Sequence, residues 1–174
     1  MKFNRIVILT ILAILAVVLA ASASAFDLGF LGGSDSEPQK ITVGGIDFQI
    51  PAGFTENEKY RMDNETSSSS GSDYYMSAVG YEDGSKQNAI YVMVADYGEY
   101  NVTDDVLNYV AKSMDGKKKT INGHAGYIAK QTDNSTSSML PVTDDIYMFM
   151  YEENGDLVFI GATDESYFND VVLN

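Results

Sequence analysis

The sequence predicts an α+β fold: a mostly antiparallel sheet of about six or more strands, one main helix, a short C-terminal helix, and an N-terminal hydrophobic helix ahead of them. Three observations predict it. Short runs of β-branched and aromatic residues recur between Gly, Asn and Asp turn signals. One internal stretch, 103–114, carries a clear helical stripe. Ile6 to Ala21 is apolar except for Thr10.

That leading segment reads as an address. Lys2 and Arg5 precede the apolar run, and Ala23-Ser24-Ala25 follows it. A basic start, an apolar middle and an A-x-A site make a secretory signal peptide, cleaved so that Phe26 becomes the first residue. The alternative is an uncleaved signal anchor, because the run is slightly long for a signal and slightly short for a full membrane span. Either way, residues 26–174 are expected outside the cytoplasm. The expected organisation is 1–25 as signal peptide or anchor, 26–39 as a Gly-, Ser- and Pro-bearing tether, and 40–174 as one α+β domain.

The elements follow in order. KITVGGIDFQI places two β-type runs around Gly44-Gly45, as in a tight hairpin, and Pro51 ends the second. Phe54 to Met62 is expected to be extended. Met62 to Asp73 (MDNETSSSSGSD) is expected to be a polar loop. Tyr74 to Tyr81 forms a strand, and Glu82 to Ser85 a turn. Ala89 to Ala95 is continuously apolar, as in a strand covered on both faces. Thr103 is placed to cap a helix whose first turn holds Asp104 and Asp105 and whose stripe is Val106, Leu107, Val110 and Met114. Asp115-Gly116 stops it. Lys118–Ile121 pairs with Tyr127–Ala129 across Asn122-Gly123. Gln131 to Asp145 is a second polar loop. Ile146–Tyr151 and Leu157–Ala162 are strands joined by an Asn-Gly hairpin. A last short helix spans about Asp164 to Leu173, with Phe168, Val171 and Val172 on one side.

Charge and composition exclude several functions. Among 174 residues there are 25 acidic and 11 basic side chains, one His and no Cys. Without cysteine there is no disulfide, no thiol nucleophile and no Cys-based zinc site. The formal charge is -14, and removing Lys2 and Arg5 with the leader takes it to -16. No nucleic-acid partner is expected of such a chain, since phosphate contacts need Lys and Arg. Its carboxylates read first as a solubilising surface.

Candidate chemistry is sparse. His124 follows Asn122-Gly123 at a hairpin turn, without a G-x-S-x-G motif, and reads as a solvated turn residue. Four acidic groupings stand out: Asp63/Glu65, Asp104/Asp105, Asp144/Asp145 and Glu152/Glu153/Asp156. None matches a calcium loop. No cofactor is expected, and calcium is the alternative. Lys117-Lys118-Lys119 is expected to end the helix favourably and begin a solvated edge strand, without inward-facing partners. Of twelve Tyr, Tyr74, Tyr75, Tyr81, Tyr97 and Tyr100 gather around the third and fourth strands, as core of a pleated sheet or as a recognition face. Asn64, Asn101 and Asn134 begin N-x-T sequons and are candidate N-glycosylation sites.

IDFQIPAGF at Ile46–Phe54 resembles the opening of PsbP/Mog1-like domains, in which a strand ends in Pro followed by Gly and an aromatic residue. DDVLNYVAKSM resembles that family's helix, and GDLVFIGATDESYFNDVV its closing strand and helix. Phe54 stands where a Trp is frequent. The chain is also similar to small secreted microbial surface proteins. The resemblance implies a small assembly or binding module and supplies no site residue. The expected function is therefore a secreted or cell-surface binding or structural module, not an enzyme. Its partner would be an extracellular protein or a component of the cell envelope, with the membrane engaged only through the N-terminal segment. The rival readings are a small extracellular hydrolase using acidic residues and a calcium-stabilised surface module.

Overall fold

The computed structural model describes residues 37–69, 72–85, 87–132 and 145–174. The expected hydrophobic helix and most of the tether lie outside the described residues, as do 133–144 of the second polar loop.

The hairpin forms as its sequence requires. β1 (Gln39–Val43) and β2 (Ile46–Ile50) pair antiparallel, with Val43 opposite Ile46. Gly44 turns at φ +55°, and a Cβ there would lie 2.7 Å from Cβ of Val94. Glycine thus serves both the turn and the close approach of the hairpin tip to the sheet below. After β3 (Phe54–Glu56), a single 3-10 turn at Glu58–Tyr60 breaks the extended run that the sequence suggested. Asn57 caps that turn with a side-chain bond from the Lys59 N–H, 3.2 Å.

Residues 62–69 and 72–73 correct the expectation of a loop. They form β4 (Met62–Ser69) and the start of β5 (Ser72–Asp83). Among the described residues β4 pairs with β5 alone, as an edge strand does. An edge strand needs backbone pairing but little apolar surface, and polar side chains there oppose unwanted pairing. A hydrophobicity pattern cannot see such a strand.

β6 (Ala89–Asp96) is buried from Ala89 to Ala95. β7 (Lys117–Ile121), β8 (His124–Thr132), β9 (Asp145–Glu153) and β10 (Asp156–Ala162) complete an eight-stranded antiparallel sheet of order β3-β5-β6-β10-β9-β8-β7, with β4 next to β3 along β5. Gln131, Thr132 and Asp145, expected in a loop, are the ends of β8 and β9.

Both faces of this sheet are covered, which explains the unbroken apolar run of β6. α1 (Asp104–Lys112) lays Val106, Leu107, Val110 and Ala111 on one face, against Met93, Tyr127 and Met150. The hairpin and α2 (Tyr167–Val171) cover the other, packing Phe48, Ile50, Phe168 and Val171 onto Val92, Phe149 and Ile160. Each such fully buried side chain contributes about 1.5–3 kcal/mol.

Helix ends show local chemistry. Thr103 stands at the cap of α1, where its carbonyl accepts from Leu107 at 3.0 Å, but its hydroxyl makes no capping bond. Asp115, at φ +53°, makes the left-handed stop, and Gly116 donates back to the Ala111 carbonyl at 2.8 Å. Asp can hold that conformation because its short polar side chain tolerates it. α2 is shorter than expected. It ends where Val172 pairs with Phe48. Its open carbonyls are met by side chains: Asn122 Nδ2 donates to Asn169 and Val172 at 2.9 and 2.7 Å.

One buried group lacks a partner. The hydroxyl of Tyr97 is enclosed beside the Tyr74 ring, 5.8 Å between centroids, with no hydrogen bond among the described residues. Burial raises its pKa, followed by a smaller contribution from Tyr74. An unsatisfied buried hydroxyl is unfavourable by about 1–3 kcal/mol. Tyr97→Phe is expected to raise stability by about 1 kcal/mol in urea unfolding. A destabilised variant would show that the hydroxyl has a partner.

Candidate functional site

The sheet's pleat brings chemistry together at one end of its hairpin-covered face. Tyr75 on β5 lies opposite Asp96 on β6. Leu157 on β10 pairs with Ala95, so one step further Asp156 comes level with Asp96. Asp156 pairs with Glu153 on β9. His124 on β8 stands next, its Nδ1 3.7 Å from Glu153 Oε2. Five strands thus present a row of Tyr75, Asp96, Asp156, Glu153 and His124 just beyond the hairpin tip.

The Tyr75 half of this row lines a cleft of about 300 Å³, walled by Gly44-Gly45 and Asn64 and floored by Ser77 and Val94. A second hollow of about 180 Å³ shares Gly44, Asn64 and Ser77 with it and continues between Thr42-Val43 of β1 and Arg61–Asp63. Together they form a groove between the hairpin and β4. Tyr75 is 40% exposed, one of the large apolar side chains left open to solvent. Arg61 is held by Glu56 through two bonds of 2.7 Å and faces Asp63 at 3.3 Å. Its charge is already answered.

Asp156 is the perturbed group. Partial burial, then the charges of Asp96 and Glu152, push its carboxyl up to about 6. Asp96 is exposed and accepts the Gly98 N–H at 2.6 Å. The sign for stability follows. A carboxyl raised from 3.8 to about 6 favours folding when protonated, so its contribution is full below pH 3.8 and is lost as pH rises through 6. Asp156→Asn is expected to raise stability above pH 6, by about 1 kcal/mol after solvent screening, or roughly 3 °C in Tm. Below pH 4 the two proteins should melt alike. A constant difference at every pH would contradict this origin.

The other candidates are engaged within the fold. His124 is not a solvated turn residue. Its ring packs on Tyr151 at 4.8 Å, and Nε2 lies 2.9 Å from the Leu173 carbonyl, which can only accept, so Nε2 carries a proton. It anchors the C-terminus. The lysine run meets the first turn of α1 rather than its last: Lys118 binds Asp104 at 2.9 Å and lies over the Tyr127 ring. Lys119 binds Glu165. Lys118 holds the Asp104 carboxyl below its ordinary value. Lys130 binds Asp145 at 2.7 Å. Of the acidic groupings, Glu153 and Asp156 join the row, Asp63 faces Arg61 and Asp104 is held by Lys118, while Asp144 lies outside the described residues. Among the described residues no three His, Asp or Glu side chains are grouped to hold a metal ion, and no helix is long and apolar enough to cross a membrane.

The tyrosines divide. Tyr74, Tyr81 and Tyr97 are core, whereas Tyr75 and Tyr100 are exposed. Asn64 is exposed on the groove wall at a bulge in β4, not in a loop, with φ +51° and its N–H donating to Ser77 Oγ at 3.1 Å. Asn101 is exposed ahead of α1. Asn134, Ala23, Ala25 and Phe26 lie outside the described residues.

Sequence reasoning missed the pairing of Asp96 with Asp156. A signal for it exists: AIYVMVAD ends on a carboxylate and DLVFIGA begins on one, and antiparallel neighbours set such ends side by side. No protein-family model matches this chain, and no curated protein or solved structure matches it.

Proposed function

We propose that this chain is an exported, non-enzymatic binding module whose recognition site is the groove between the β1–β2 hairpin and β4. One observation carries the reading. The groove combines an exposed aromatic ring, a carboxylate pair and open backbone in one concavity, which is the composition of a recognition site. The leader sequence supports export, and the resemblance to PsbP/Mog1-like domains supports an assembly or binding role. The test has two parts. Mass spectrometry of the natively expressed protein should find it outside the cytosol, beginning at Phe26 or, if anchored, at Met1. Substituting Ser77→Arg in the groove should abolish partner binding, with only a small fall in Tm from the lost Asn64 N–H bond to the Ser77 hydroxyl. A cytosolic location, or binding indifferent to a filled groove, would contradict the proposal.

One observation favours a second reading. Asp156, pushed up to about 6, beside an exposed Asp96 makes a pair of neighbouring carboxylates, the side chains that hydrolases use as acid and base. A cleft of about 300 Å³ is at the small end for enclosing a substrate. Turnover of glycoside or ester substrates that is lost in Asp156→Asn would establish this reading over the first.

A further inference from the structure

The layer over the hairpin-side face stops short of the sheet's edge. α2 packs on β2, with Val172 bridged to Phe48, and β1 lies over β5 and β6. Among the described residues no further element of this layer lies beyond β1, and that space is the groove. Among the described residues β1 pairs with β2 alone. In a two-residue hairpin the pair flanking the turn exchanges both its hydrogen bonds. Val43 and Ile46 are that pair, so Ile41 and Gln39 also aim their backbone groups at β2. The N–H and C=O of Thr42 and Lys40 then point away from β2, and Thr42 lines the groove. The groove therefore has an open strand edge on one side. At its end it has two carboxylates, Asp96 and Asp156, beside Tyr75, while Arg61, the one cation lining it among the described residues, is engaged by Glu56.

We propose that the groove takes an extended basic peptide, which adds a third strand to β1 and lays a lysine or arginine side chain along Tyr75 with its charged head against Asp96 and Asp156. The inference rests on the binding reading above and names its ligand. Backbone pairing supplies affinity without sequence, and the acidic end supplies selectivity. The long side chain suits an aromatic wall, since its stem packs on the ring while its head stays polar. The raised Asp156 carboxyl agrees with a site that lacks its counter-charge until a ligand brings one.

The test is a calorimetric titration of the natively expressed protein at pH 7.5 with acetyl-Val-Thr-Lys-Thr-Val-amide. Binding is expected. It should weaken about tenfold when norleucine replaces the lysine, and about tenfold in Asp156→Asn, the loss of one charge-assisted hydrogen bond. Methylating alternate peptide nitrogens along one edge should abolish it, and bound peptide should slow hydrogen exchange at the Thr42 amide. Both Asp96→Asn and Asp156→Asn change surface groups, so Tm will confirm that they fold. Equal binding of the methylated peptide would overturn strand addition. So would n-butylammonium binding as tightly as the peptide. A neutral methyl glycoside bound in the groove, with the peptide unbound, would overturn the peptide and leave the binding reading standing. No binding by any of these probes would remove both.

Discussion

Gly126→Ala is expected to lower stability by about 3 kcal/mol in urea unfolding, a large share of the stability of an ordinary domain. Gly126 lies in β8, between β7 and β9. A Cβ there would collide with the Met150 carbonyl oxygen, and would lie 2.9 Å from Cβ of Tyr151 and 3.0 Å from the Phe149 ring. The nearest obstacle is backbone of the neighbouring strand, so a side-chain rotation cannot relieve it. Phe149 and Tyr151 stack at 5.3 Å between centroids and occupy the space that glycine leaves. Glycine is present here for room, since its φ is not among the positive ones. A loss below about 1 kcal/mol would show that the β8–β9 ladder is looser than this packing states.

The second large effect belongs to the C-terminus. Phe168→Ala should cost about 3–5 kcal/mol, the range for emptying a fully buried aromatic site. Phe168 is wholly buried and lies 5.9 Å from the Phe149 ring. α2 has only five residues, far too few to hold a helix alone in water. Its stability comes from Phe168 and Val171 beneath it and from Asn122 and His124 gripping the carbonyls at its end. Asn122→Ala should therefore cost less, about 1–2 kcal/mol for one exposed and one partly buried bond. If Asn122→Ala cost as much as Phe168→Ala, the grip would outweigh the packing.

Much of this fold was legible. The Gly44-Gly45 and Asn154-Gly155 turns, the buried run of β6 and the stripe of α1 each follow a local pattern that the structure repeats. β4 was not legible, because Asn64 to Ser69 earns its place by backbone pairing on an edge and leaves no apolar trace. Nor was the hairpin's position legible. Sequence indicates two paired strands but not that they stack across the sheet instead of joining it, since that choice is made by Val43, Phe48 and Ile50 against distant Val94, Phe149 and Phe168. The groove follows from that stacking, so it was hidden too. Asp96 and Asp156 are 60 positions apart in sequence, and only the β6–β10 register joins them. His124 read as solvated because its partners, Tyr151 and Leu173, are equally remote.

Asp96 and Asp156 repel each other across the β6–β10 register, a cost to the fold that the proposed basic ligand would offset. The most direct test measures both consequences in the double variant Asp96→Asn/Asp156→Asn at pH 7.5. Melting temperature should rise while affinity for the lysine peptide falls by about tenfold or more. A fall in both, or an affinity that does not change, would contradict it.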